Sequence, residues 1–230
     1  MTVSRLRTYA DFLDRADELG FLFLSRGVAG APGISDEVPG NQWHTGDPES
    51  DPWLWKDRAA AEKRLAFGCL LGGRKGFIAP RMYPVFYAAC LPERTLAERR
   101  TDGLVGPAKW KLWQLFEEKG KRNLGTWEIR QALRGTDTLS AIDRAVTELS
   151  QEFYLTVSGN KCRTDRFGQP YGWPSNMYDT VAAWVPPEWG VPDPDWDREG
   201  ARGAILAEAA EHTPGVDRAL LRRILFGRGV

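Results

Sequence analysis

Apolar residues recur along the chain at changing intervals, and the intervals lay out its elements. Residues 5–19 carry Leu6, Tyr9, Phe12, Leu13, Ala16 and Leu19 three and four apart, one face of a helix stopped by Gly20. FLFLSR at 21–26 predicts a short strand or buried turn. The run from Gly27 to Asp51 is dense in Gly, Pro, Ser and Asp and predicts a long loop, a feature that compact domains use for function or leave unstructured. From Pro52 to Leu71 the spacing of Trp55, Ala59, Leu65, Ala66, Cys69 and Leu70 predicts a helix ended by Gly72-Gly73. Phe77, Ile78 and Ala79 predict a brief strand, and Pro80 opens a helix to about Leu91. The charged segment PERTLAERRTDG, 92–103, is expected to be a hinge.

Beyond it, Pro107 starts a helix with the stripe Leu112, Trp113 and Phe116, ended by Gly120. Thr126 is expected to cap a short helix, TWEIRQALRG, closed by Gly135. Leu139, Ile142, Val146, Leu149 and Phe153 then fall three, four, three and four apart, a strict helical face. The period next changes to two, with Phe153, Leu155 and Val157 alternating with Tyr154 and Thr156, and Gly159-Asn160 and Gly168 allow the strand to turn back as a hairpin. Three helices and a hairpin between about 106 and 178 are the winged-helix order. Further helices are expected near Arg198 to Glu211 and, capped by Asp217, through Leu225. The fold expected is α+β and mainly helical: an amino-terminal helical unit, 1–103, packed against a winged helix-turn-helix unit with carboxy-terminal helices, 104–230. The same order also suits a packing or docking unit with no nucleic-acid role.

Composition narrows this picture little. The chain of 230 residues has no apolar run long enough for a membrane span, and acidic residues stand where a signal peptide would be apolar, so a cytoplasmic location is expected. Its 31 basic residues equal its 31 acidic ones, so binding to nucleic acid would have to come from local patches. Cys69, Cys90 and Cys162 are too far apart for a disulfide framework or zinc site, and GGRKG at 72–76 lacks the spacing of a phosphate loop; no metal or cofactor is expected. Tryptophans cluster at Trp43, Trp53 and Trp55 and at Trp184, Trp189 and Trp196, either as packing or as stacking surfaces.

GDP before a tryptophan-rich helix, a Leu-Trp helix before TWEIRQAL, the helix AIDRAVTELSQEFYLTVSG and the following FGQPYGWPS together resemble the winged-helix family of the AlkZ and YcaQ DNA glycosylases, and more closely its short AlkZ-related members. The resemblance implies duplex DNA as partner and, in active members, removal of alkylated or cross-linked bases through a Gln-x-Gln or Gln-x-Asp motif before Asp-Pro. Set against Asp47-Pro48, that motif falls on His44, Thr45 and Gly46, so both glutamines are missing.

Candidate site residues follow. Gln42, His44 and Asp47, beside the possible aromatic pocket Trp43, Trp53 and Trp55, could supply a base-excision site, a carboxylate near a histidine activating water. Alternatively Asp51 caps the helix at Pro52 and leaves His44 and Asp47 as turn residues. Lys109, Lys111, Lys121 and Arg122 on one helix and its turn, Arg144 on the third helix, and Lys161, Arg163 and Arg166 on the wing are candidate phosphate contacts or ordinary solvated charges. The third helix sets Arg144 against Asp143, Glu148 and Glu152, a poor local balance for recognition. Neutral charge and many tryptophans also suit self-association or a protein partner.

Overall fold

A computed structural model of the chain describes residues 6–193 and 195–227, so residue 5 of the first expected helix and the outermost ends of both expected units lie outside the described residues. In chain order the elements are α1 (Tyr9–Leu19), β1 (Phe21–Phe23), α2 (Ile34–Glu37), α3 (Pro52–Ala61), β2 (Ala66–Leu71), β3 (Arg74–Ile78), α4 (Tyr83–Cys90), α5 (Leu96–Thr101), α6 (Pro107–Glu117), β4 (Leu124–Gly125), α7 (Thr126–Ala132), α8 (Leu139–Gln151), β5 (Leu155–Thr164), β6 (Pro170–Thr180), α9 (Val181–Trp184), α10 (Arg198–His212) and α11 (Arg218–Phe226). The fold is α+β, with two three-stranded antiparallel sheets ordered β1-β3-β2 and β4-β6-β5. Among the described residues no helix is long and apolar enough to cross a membrane.

The chain forms two compact units, Met1–Leu91 with Val185–Val230, and Pro92–Trp184. This differs from a division at residue 103 in both directions. The segment 92–103 is helix α5, closed by a reciprocal cap between Thr95 and Glu98, and its Leu96 is buried in the core of the second unit. The carboxy-terminal helices belong to the first unit because α10 buries Ala201, Ile205, Leu206 and Ala209 and lays Arg202 against the end of α4, where its Nε donates to the Ala89 carbonyl at 3.2 Å.

In the first unit α1 begins at Tyr9, later than its apolar spacing suggests. The Thr8 hydroxyl accepts from the Asp11 amide while the Asp11 carboxylate accepts from the Thr8 amide, which fixes the start, and Leu6 is buried outside the helix. Phe12 stacks on Trp55 of α3 at 5.5 Å and meets Phe77 of β3 edge-on at 4.9 Å, joining helix and sheet through aromatic contacts.

The helix expected from Pro52 to Leu71 stops at Ala61. Lys63 takes a left-handed φ of 54°, and Leu65, Ala66, Cys69 and Leu70 lead into and run along β2. Their spacing fitted a helix only because a short, fully buried strand carries apolar residues at every position and so satisfies either period. Gly72-Gly73 then makes the tight turn from β2 to β3, so GGRKG belongs to a hairpin.

In the second unit Leu112, Phe116, Ile129, Ile142, Val146, Leu149 and Leu155 share one core. Gly125, with Thr126 as first helical residue, caps α7, because the Glu128 carboxylate accepts the Gly125 amide at 2.7 Å. Thr138 caps α8 by accepting from the Ala141 amide. Phe153, expected to open the strand, instead closes the turn after α8 with a φ of 56°, and β5 starts at Leu155.

Candidate functional site

In the loop before α3, the backbone is held by side chains that the sequence marked for chemistry. Gln42 Nε2 donates to the carbonyls of Arg7 at 2.9 Å and Ser50 at 3.2 Å. Asp47 accepts from the Glu49 amide and, at 2.6 Å, from the Ser50 hydroxyl; that hydroxyl bond, with the amide, holds its carboxyl below the usual range. Asp51, 1% exposed, accepts from the amides of His44, Gly46 and Trp53 and so caps α3 while closing the loop. The Glu49 carbonyl takes the Tyr9 amide and the Trp55 indole N–H. Asp47 thus spends its carboxylate on the turn itself, whereas Gln42 uses its amide nitrogen to tie the loop to Arg7 and Ser50 and keeps its buried Oε1 without a hydrogen-bond partner among the described residues.

The expected aromatic pocket is divided. Trp55 is 0% exposed and belongs to the core. Trp53 is half-buried, with Lys56 Nζ 4.4 Å above its ring and the exposed His44 imidazole 5.1 Å from it. Trp43 lies at the edge of this group, its ring 6.4 Å from that of His44.

The candidate phosphate contacts of the second unit also separate into two sets. Lys109 is 6% exposed and its ammonium sits 2.7 Å from Glu152 and 3.5 Å from Glu148, which removes it from any surface. Lys111 reaches Asp137 at 3.3 Å, Arg122 reaches the Thr180 hydroxyl at 3.0 Å and Asp179 at 3.5 Å, and Lys161 pairs with Glu128. Lys121, Arg144, Arg163 and Arg166 are exposed. The acidic residues that burdened the third helix are neutralised from other elements: Asp143 by Arg130 at 2.7 Å, Glu152 by Arg99 at 2.9 Å and by Lys109.

A family model described as AlkZ related matches residues 6–226. The chain belongs to the AlkZ-related family. No curated protein and no solved structure matches it. In this AlkZ-related chain three exposed aromatic side chains gather on the β5–β6 hairpin, Phe167 at the turn, Tyr171, and Trp173, which is 86% exposed. Their display has a local cause. Lys161 is opposite Ser175 and Arg163 opposite Tyr171, so Gly172, Trp173 and Pro174 face the single residue Cys162 and bulge from the ladder. Gly172 supplies the positive φ of 75° that the bulge needs. At the tip the Asp165 carboxylate accepts the amides of Phe167 and Gln169, and the Arg166 guanidinium lies 4.6 Å over the Phe167 ring. Sequence reasoning passed over Trp173, Tyr171 and Phe167. The signal was a Gly and a Pro flanking a Trp inside a strand, which marks a bulge.

Proposed function

We propose that the AlkZ-related chain binds duplex DNA through the Pro92–Trp184 unit, acting as a winged helix. The observation that carries this reading is the β5–β6 hairpin, on which Arg163 and Arg166 stand beside exposed Phe167, Tyr171 and Trp173. The element order supports it: α6, α7 and α8 precede the hairpin, and β4 adds a third short strand to the sheet. Exposed cations supply sequence-independent phosphate contacts, and the neutralised carboxylates of α8 leave Arg144 as the open charge of the third helix. Membership of the AlkZ-related family is consistent with a DNA partner and a link to DNA repair. The Gln42–Asp47 loop, without the paired glutamines of the glycosylases, serves as a structural turn in this reading.

The test is titration of a labelled duplex by fluorescence anisotropy at several salt concentrations. Binding weakens with salt, and replacing Arg163 and Arg166 together by Ala lowers the salt slope by about two, near one per phosphate contact. Absence of binding at about 10 micromolar protein in low salt, inside the usual non-specific range, removes the proposal.

A further inference from the structure

Beside the hairpin, within the second unit, a cleft of about 640 Å³ opens between α7, the start of α8 and the β5–β6 arm. Its volume falls in the range of small-molecule sites. Trp127, Arg130, Arg134, Leu139, Arg163 and Tyr171 define its chemistry.

The carboxylates nearby are already engaged: Asp143 holds Arg130 through two bonds of 3.0 and 2.7 Å, and Asp137 holds Lys111. Arg134 and Arg163 form no ion pair among the described residues. Arg163 rests 5.8 Å over the Trp127 ring, which positions a guanidinium without cancelling its charge. Tyr171 is 51% exposed and Leu139 60% exposed, leaving an aromatic face and an apolar contact open to a ligand. Two uncompensated guanidinium groups beside an unstacked ring and an aliphatic side chain form a site for an anion carried on a flat ring. Phosphate takes bidentate contacts from Arg, and a base stacks on an aromatic side chain.

We propose that this cleft binds a nucleotide with its base out of the stack, Arg134 and Arg163 contacting the phosphate and Tyr171 stacking on the base. The inference deepens the nucleic-acid reading and rests on it for a polymeric source, whereas the chemistry of the cleft is the same for a free nucleotide.

Amide chemical shifts of isotope-labelled protein, followed during titration with a short oligothymidylate, thymidine monophosphate and an acidic peptide of matched charge, test the site. The oligothymidylate is expected to move amides of 127–142 and 163–171; Tyr171→Ala weakens its binding about tenfold, the scale of one lost base stack, and Arg134→Ala weakens it about as much through a lost charged contact to phosphate. Both residues are exposed, and the amide spectrum of each variant reports its folding directly. If the monophosphate moves the same amides and loses affinity in the same variants, the cleft takes single nucleotides. If only the oligomer does so, it takes a segment of chain. Unmoved amides with both nucleotide probes, wild-type affinity in both variants, or equal competition by the acidic peptide overturns the proposal. Duplex affinity of Arg166→Ala, scored in parallel, separates this outcome from failure of the hairpin reading.

Discussion

The ammonium of Lys109 on α6 lies 2.7 Å from the Glu152 carboxylate at the end of α8, and Arg99 on α5 reaches the same carboxylate at 2.9 Å. One acid therefore ties three helices of the second unit. Burial alone would raise the Glu152 carboxyl, but Arg99 and Lys109 outweigh it and hold the group below the ordinary carboxyl range. A lowered folded-state pKa contributes stability that is present above the unfolded value and lost as pH falls through the folded one. Glu152→Gln is expected to cost about 1–3 kcal/mol near neutral pH, because it leaves a buried ammonium poorly paired. It should also flatten the acid limb of the stability profile. Urea denaturation across the acid range checks this; an unchanged acid limb refutes the assignment.

Lys109 also separates stability from binding. Lys109→Met is expected to alter the denaturation midpoint while leaving the salt slope for duplex DNA unchanged, since its charge is enclosed by Glu148 and Glu152. A lower slope in this variant would show that the ammonium reaches phosphate.

Asp51→Ala removes the acceptor of three backbone amides, those of His44, Gly46 and Trp53. The cap alone contributes about 0.5–2 kcal/mol, and each further orphaned amide adds about 1 kcal/mol or more. Asp47→Asn touches an exposed turn and is expected to stay within about 1 kcal/mol. Chemical denaturation of the two variants checks the order, and a larger loss from Asp47→Asn would reverse the account of the loop.

Trp173→Ala is expected to change stability by less than about 0.5 kcal/mol, as at other exposed positions, while weakening binding to DNA severalfold. Denaturation and anisotropy on the same preparation check the pair of outcomes. Unchanged affinity would remove Trp173 from the interface.

Two glycines distinguish backbone strain from crowding. Both Gly72 and Gly168 have positive φ, 57° and 79°, but a Cβ at Gly72 would stand 2.2 Å from the Ile224 carbonyl oxygen, whereas Gly168 has open space around it. Gly168→Ala is expected to cost about 1–2 kcal/mol for the left-handed backbone alone. Gly72→Ala is expected to cost clearly more, because two backbone segments must also separate. Equal losses by thermal denaturation would mean that the α11 end shifts freely.

Features written within a few residues were legible in the sequence. The three-four spacing of Ile142, Val146 and Leu149 is the buried face of α8, and Asp51 and Asp217 cap the helices that follow them. These depend on local geometry: a helix repeats its face every 3.6 residues, and a cap reaches its amides from within one turn. The candidate site was legible only in part. Arg163 and Arg166 stand exposed on a hairpin arm at the expected place, yet Lys109, chosen by the same reasoning, is enclosed. The difference is Glu152, 43 residues further along the chain. No period or motif encodes such a partner, because a charge's availability is set by what the fold brings beside it. Tertiary structure likewise decided that Leu65–Leu71 leads into and forms strand β2, where pairing with β3 outweighs an ambiguous apolar pattern, and that the last two helices rejoin the first unit, where α10 finds the apolar face of α4. The sequence determined which segments can order themselves; burial and pairing across the chain determined which of their side chains remain free to meet a partner.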